Sequence, residues 1–186
     1  MIRGDSKDYE LLEKWTKDFD CQGYKTCEIG VREGLGSKII MDNVKNNYTH
    51  VGVDPYGNLK YQHYDNGPAY TADYTDQMRD TMLNDFKSYR NQGKFTLCNM
   101  TDTQFMNDSE HRHSTFALVH FDGPHMTKDV MTEAVWFANR SAAGTRFVFD
   151  DYPKYNMSIV AKCLELYGFL ITDKGENKCL MTKQNT

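Results

Sequence analysis

No apolar run in the chain approaches membrane-spanning length, and the opening Met1-Ile-Arg-Gly-Asp-Ser6 lacks the apolar stretch of a signal peptide. The expectation is a protein with no membrane partner. The five cysteines (Cys21, Cys27, Cys98, Cys163, Cys179) contain no Cys-x-x-Cys pair. Cys27, Cys98 and Cys179 fall in strand-like runs and read as small buried thiols, which suits a reduced, cytoplasmic protein. Lysine and arginine are nowhere clustered and the net charge is -4, so the electrostatic footprint of a nucleic-acid binder is missing. A bulky polyanionic substrate is excluded on the same ground, leaving a small molecule as the expected partner. Repeats, low-complexity tracts and interdomain linkers are absent too. With 186 residues, 39% hydrophobic and 26% charged, the chain reads as one domain over 1–186 with a sizeable core.

What is present is an alternation of helix-like and strand-like segments, the pattern of a mostly parallel sheet covered by helices. Tyr9 to Phe19 reads as an opening amphipathic helix with Leu11, Leu12, Trp15 and Phe19 on one face. Strands are expected at Tyr24–Ile29, His50–Val53, Phe95–Cys98, Phe116–Phe121 and Arg146–Phe149. Helices are expected at Leu35–Val44, Tyr74–Tyr89, Thr127–Asn139 (with Thr127 as cap) and Ser158–Tyr167. Phe169–Thr172 and Lys178–Met181 flank Asp-Lys-Gly-Glu-Asn and form a closing hairpin. One stretch exceeds a routine connection. Residues 55–72 hold two prolines, two glycines and five Tyr or His rings, and read as a lid over a ligand.

The most telling segment is Thr26-Cys-Glu-Ile-Gly-Val-Arg-Glu-Gly-Leu-Gly-Ser37, followed by His50-Val-Gly-Val-Asp54. Glycines let backbone amides approach a ligand, and an acid ending the next strand can accept both hydroxyls of a ribose. That is a pocket for a nucleoside-containing cofactor. Gly30, Gly34 and Gly36 are spaced G-x-x-x-G-x-G, not the G-x-G-x-x-G of a dinucleotide site. With Glu28 ahead of them, they resemble motif I of the class I S-adenosylmethionine (SAM) methyltransferases. The resemblance implies an α/β fold: a Rossmann-like, seven-stranded, mostly parallel sheet with helices on both faces and an antiparallel last strand.

Two further strands end in acids, Asp122-Gly-Pro-His125 and Asp150-Asp151-Tyr-Pro. Carboxyl ends of neighbouring parallel strands share one rim, so Asp122, Asp150 and Asp151 are expected to converge beside the glycine loop. Crowded carboxylates need a compensating positive charge, and oxygen ligands suit Mg²⁺ or another hard divalent cation such as Mn²⁺. The order E-I-G-x-x-x-G, V-G-V-D-P, F-D-G-x-H, F-D-D-Y is similar to the macrocin and mycinamicin sugar O-methyltransferases, some of whose relatives are described as cephalosporin hydroxylases. Catechol O-methyltransferase is a more distant likeness. The resemblance implies Mg²⁺ on Asp122, Asp150 and Asp151, His125 as base, and cofactor roles for Glu28, Gly30, Gly34 and Asp54.

There are departures. Where catechol-type enzymes hold the methionine carboxylate with a serine, this chain has Gly36, so Ser37 or backbone amides must substitute. After the third strand stands Asn99-Met100-Thr101-Asp102 in place of Gly-Asp-Ser, with Met100 and Thr101 as candidate adenine contacts. His120 is expected to bond within the fold, His111 and His113 to be solvated, and His63 in the lid to be a further substrate contact. In methyl transfer to oxygen, a cation stabilises the alkoxide and a base near pKa 6.5 takes the proton. Two other readings remain beside it: an NAD-dependent oxidoreductase, and a metal-dependent hydroxylase or hydrolase using Asp122, His125 and Asp150. A SAM-binding protein without catalysis is a third.

Overall fold

The computed structural model describes residues 2–4, 6–57 and 59–185; Met1, Asp5, Asn58 (within the lid stretch) and Thr186 lie outside it. Short apolar runs bounded by turns give β1 (Lys25–Ile29), β2 (His50–Val53), β5 (Phe95–Cys98) and β6 (Phe116–Phe121). With β7 (Ser141–Phe149), β8 (Phe169–Lys174) and β9 (Cys179–Lys183) they form a seven-stranded sheet, ordered β5-β2-β1-β6-β7-β9-β8. Strand β9 alone runs against its neighbours β7 and β8. The expected fold class therefore stands. Among the described residues, no helix is long and apolar enough to cross a membrane.

Alternation along the strands divides the core into two layers. Phe147 and Phe149 of β7, with Val119 and Phe121 of β6, pack under α6 (Thr127–Ala138) and α7 (Met157–Glu165). Val148 and Leu118 face the other way, under α1 (Tyr9–Thr16) and α2 (Leu35–Asn43). On that second face the sheet centre is not apolar. Glu28 and His120 sit there fully buried, which only a tight mutual pairing can sustain. The cysteines are all free, and burial pushes the Cys98 and Cys179 thiols up to about 11.

Several boundaries differ from expectation for local reasons. Helix α1 stops at Thr16, because Lys17 is extended and Asp18 takes a left-handed φ of 56. The segment Tyr74–Tyr89 is two helices, α3 (Asp76–Asp85) and α4 (Lys87–Asn91), interrupted at Phe86 whose ring is buried. Strand β7 begins earlier than Arg146, through a Ser-Ala-Ala-Gly stretch of low strand propensity in which Ser141 pairs with Phe116 of β6 before the register shifts. The lid stretch is no structureless loop. It folds into a hairpin of β3 (Lys60–Gln62) and β4 (Ala69–Thr71). Thr127 does not cap α6; its amide and hydroxyl both donate to Asp65 of the hairpin, at 3.0 Å for the amide. A short helix α5 (Asp102–Asn107) was not expected, although Thr101 and Gln104 form a capping box that marks its start.

Candidate active site

Strand β1 is followed by Gly30, whose φ of 86 turns the chain away from the sheet. A Cβ there would lie 2.1 Å from the Asp122 carbonyl, so only glycine lets the two strand ends meet. The loop beyond is held from the side by Asp54. Its Oδ2 accepts the amides of Val31 (3.0 Å) and Arg32 (2.8 Å), and its Oδ1 accepts Tyr56 N (3.1 Å). Burial raises the Asp54 pKa, and the three amides oppose that rise. A carboxylate has about four acceptor positions, so one is left for a ribose hydroxyl where the sequence suggested both. Asp54 lines a cleft of about 450 Å³ together with Tyr56, Thr101, Asp102 and Asp122. Thr101 spends its hydroxyl on the α5 cap, at 3.2 Å from Gln104 N. Met100 is half-buried against the core and does not line this cleft.

Glu28 is clamped by two partners. Its Oε1 lies 2.7 Å from His120 Nδ1, and its Oε2 accepts the Ser37 hydroxyl. A Cβ on Gly36 would stand 1.9 Å from Glu28 Oε1, so a serine at that position would push the Glu28 carboxylate off its bond to His120. Ser37 turns inward as well: its Oγ is 2.9 Å from His50 Nε2, and the residue is wholly buried. A direct Ser37 contact with a ligand is thereby removed, and the loop amides are left to meet a carboxylate. His50, driven down to about 4 by burial, bonds Thr26 Oγ1 at 2.8 Å.

At the rim, the ends of β6 and β7 bring carboxylate oxygens of Asp122 and Asp150 within 4.8 Å of each other. Burial and the Asp150 charge push the Asp122 carboxyl well above its ordinary range. Asp150, which burial alone would raise, is held low by the Asp122 hydrogen bond and by the Lys178 ammonium. Lys178 was not singled out in the sequence, yet it is fully buried. Its Nζ donates to Asp150 Oδ1 and to Ser6 Oγ (2.9 Å), and lies 3.4 Å from His120 Nε2. Period-two alternation could have flagged it, since it shares a face with buried Leu180. Ser6 and Asn177 also donate to Asp150 Oδ1, at 2.7 and 3.3 Å.

Asp151 lies apart from that pair. It accepts Lys154 Nζ at 2.7 Å, and its Oδ2 is 3.9 Å from His125 Nδ1. Among the described residues, donor atoms come within 4.8 Å of one another in three groups: Asp122 with His125 and Asp150, Glu28 with His120 and Asp122, and His63 with His125 and Asp151. His125 is 3% exposed, and its Nε2 has no hydrogen-bond partner among the described residues. Burial and the neighbouring His63 bring it down to about 4, so it is neutral at pH 7. His120 bonds within the fold as expected. His111, expected in solvent, is instead buried against Phe105, 3.3 Å from Lys25 Nζ. His113 is exposed.

The raised Asp122 carboxyl yields a stability prediction. A group that binds its proton more tightly when folded stabilises fully at low pH, and loses that contribution as pH climbs past its unfolded value. Asp122→Asn, which mimics the protonated form, should therefore match or exceed the parent in urea at pH 8, in chelator. At pH 4 the difference should vanish. A variant less stable at pH 8 than at pH 4, relative to the parent, would contradict the assigned direction.

The reversed last strand, the glycine loop and the acid ending β2 together define the class I methyltransferase architecture. A family model described as "Methyltransferase domain" matches residues 27–152, and the chain belongs to that family of SAM-dependent methyltransferases. Comparison with curated proteins gives no match. A crystal structure of a protein from Corynebacterium glutamicum superposes with a TM-score of 0.66 at 14% identity, covering 98% of this chain and 84% of that one. An O-methyltransferase from Bacillus cereus, in complex with SAH, gives 0.62 at 11% identity, covering 100% and 84%. An rRNA methylase from Streptococcus thermophilus gives 0.55 at 8%, covering 95% and 94%. At these identities the likeness is one of fold.

Proposed function

We propose that the chain is a single-domain, SAM-dependent O-methyltransferase for a small hydroxylated acceptor, sugar-like or phenolic, assisted by a divalent cation. The observation that carries this is the meeting of two clefts. The cleft with Asp54 on its wall touches a second one, of about 510 Å³, at Gly30 and Asp122. The second holds Asp150, Asp151 and His125, and the hairpin residues His63 and Tyr64 form part of its lining. Bound SAM supplies an electrophilic methyl on its sulfonium, and that junction is where a methyl could face an acceptor. The loop amides beyond Gly30 receive the methionine carboxylate, and Asp54 takes one ribose hydroxyl. Asp102 and Thr103, beside Thr101 on the wall, stand near the adenine end.

The residues at the rim fit a cation. Asp122, Asp150 and His125 each bring a donor atom within 4.8 Å of the others, and a cation there would oppose the rise of the Asp122 carboxyl. Asp122 and Asp150 would hold it, with Asp151 joining once Lys154 withdraws. Mg²⁺ or Mn²⁺, when held there, would supply Lewis acidity to the acceptor oxygen. His125 accepts the acceptor's proton on Nε2, being neutral at working pH. The acidic floor works against a nucleic-acid acceptor.

Calorimetry should show SAM and S-adenosylhomocysteine binding in preference to NAD. Asp150→Asn should leave SAM affinity within about threefold while abolishing turnover, because Asp150 does not line the cleft of Asp54 and keeps its size and its Lys178 neighbour when amidated. Screens of sugar and phenol acceptors with Mg²⁺ supply the turnover assay. Tight NAD binding without SAM binding overturns the cofactor; undiminished methyl transfer in excess EDTA overturns the cation.

A further inference from the structure

The hairpin β3/β4 brings to the rim a side chain that no strand end supplies. His63, on the hairpin, points its Nε2 at His125 Nδ1 across 2.9 Å. Asp151 Oδ2 lies 3.9 Å from the same nitrogen, and one donor atom from each of the three residues falls within 4.8 Å of the others. Donors around a tetrahedral ion with bonds of about 2.0–2.1 Å stand about 3.3 Å apart, so the observed spacings bracket what an ion requires. Two imidazoles and one carboxylate are a borderline set. They favour later first-row ions over Mg²⁺, which prefers oxygen throughout.

We propose that His63, His125 and Asp151 form a second metal site, for a borderline divalent ion such as Zn²⁺ or Co²⁺, that fastens the hairpin to the rim. The surroundings suit such a site. Lys154, now on Asp151 Oδ2 at 2.7 Å, is half exposed and can swing out as the ion arrives. Tyr64 OH stands 3.4 Å from the same oxygen, and the Tyr64 ring stacks on His125 at 6.0 Å. His125 is buried while His63 and Asp151 are half-buried, which leaves the ion a way in. This site uses Nδ1 of His125, whereas Asp122 and Asp150 complete a different group with the same residue. On the methyl-transfer reading there is a consequence. An imidazole ligated through Nδ1 keeps its hydrogen on Nε2, so it accepts no proton from an acceptor, and Zn²⁺ inhibits.

The test uses the full chain, stripped of metal with chelator, and Co²⁺ alone as probe, followed by its visible absorption and by calorimetry. The parent should bind one His63-dependent equivalent with the intense bands of a tetrahedral ion. His63→Gln, a change on a hairpin outside the main sheet, should weaken Co²⁺ by about a hundredfold. Asp122→Asn should leave Co²⁺ affinity within about threefold, because it belongs to the other group. In the parent, Zn²⁺ should slow hydrogen exchange at residues 60–71, and in His63→Gln it should not. Unchanged Co²⁺ affinity in His63→Gln, or no binding by the parent, overturns the site. Co²⁺ lost in Asp122→Asn and kept in His63→Gln also overturns it, placing the ion with Asp122 and Asp150 and leaving the proposed function standing. Methyl transfer that fails while His63-dependent Co²⁺ binding persists refutes the proposed function alone.

Discussion

Asp54→Ala should weaken SAM binding at least a hundredfold, about 2.7 kcal/mol, when titrated by calorimetry. The effect exceeds the loss of one ribose contact. Three amides, Val31, Arg32 and Tyr56, converge on this carboxylate, and each hydrogen bond to a charged acceptor contributes about 1.5–3 kcal/mol. Arg32 and Tyr56 both hold positive φ, of 48 and 25, which non-glycine residues adopt only when their surroundings compel it. Without Asp54 the loop relaxes, and the binding amides lose their aim. Asp54→Asn should fall between parent and alanine, since its one remaining carbonyl oxygen can hold only one side of the set. Parental SAM affinity in Asp54→Ala would mean that the glycine loop is rigid without its brace.

Lys178→Met should cost about 3–5 kcal/mol of unfolding free energy at pH 7, measured in urea. The ammonium and its partner Asp150 are both buried, at 0% and 3% side-chain exposure, so removing one charge strands the other. Asp150 has a depressed pKa when folded. Its stabilisation is complete above the unfolded carboxylate value, near pH 4, and drains away as pH falls below it. The gap between parent and variant should follow the same course. Pairing Lys178→Met with Asp150→Asn should recover most of the loss, because the double change leaves no lone charge. A single variant as stable as the parent would show that solvent reaches Asp150.

His50–Val53, Phe95–Cys98 and Phe116–Phe121 were legible to the residue, because each is an apolar run with turn-forming or polar neighbours. The break at Phe86 was not, since the helical period continues through it on both sides. The glycine loop, Asp54 and the acids at the strand ends could be placed because parallel-sheet topology puts carboxyl ends together. What topology cannot say is which way each acid turns. Asp151 leaves the Asp122–Asp150 pair for Lys154, a choice made by a left-handed residue after β7 with φ 49. The partners of Lys178 and of His63 were hidden for another reason. Each side chain meets its partner only after distant segments pack, so His63 could be placed in the hairpin stretch but not against His125. Ser37 was misdirected because its inward bond depends on His50, which the glycine signature does not include.

The Asp65 bond to the first amide of α6 makes that helix share its start with the hairpin. A helix that supplied its own cap would be indifferent to the state of the cover above it. Here, detaching the hairpin would expose the uncapped end of an element buried along Val130, Ala134 and Phe137. A lost cap costs about 1 kcal/mol, roughly a fivefold shift toward the docked hairpin. The hairpin and a core helix thus stand or fray together, and a change at Asp65 should loosen the one and soften the other.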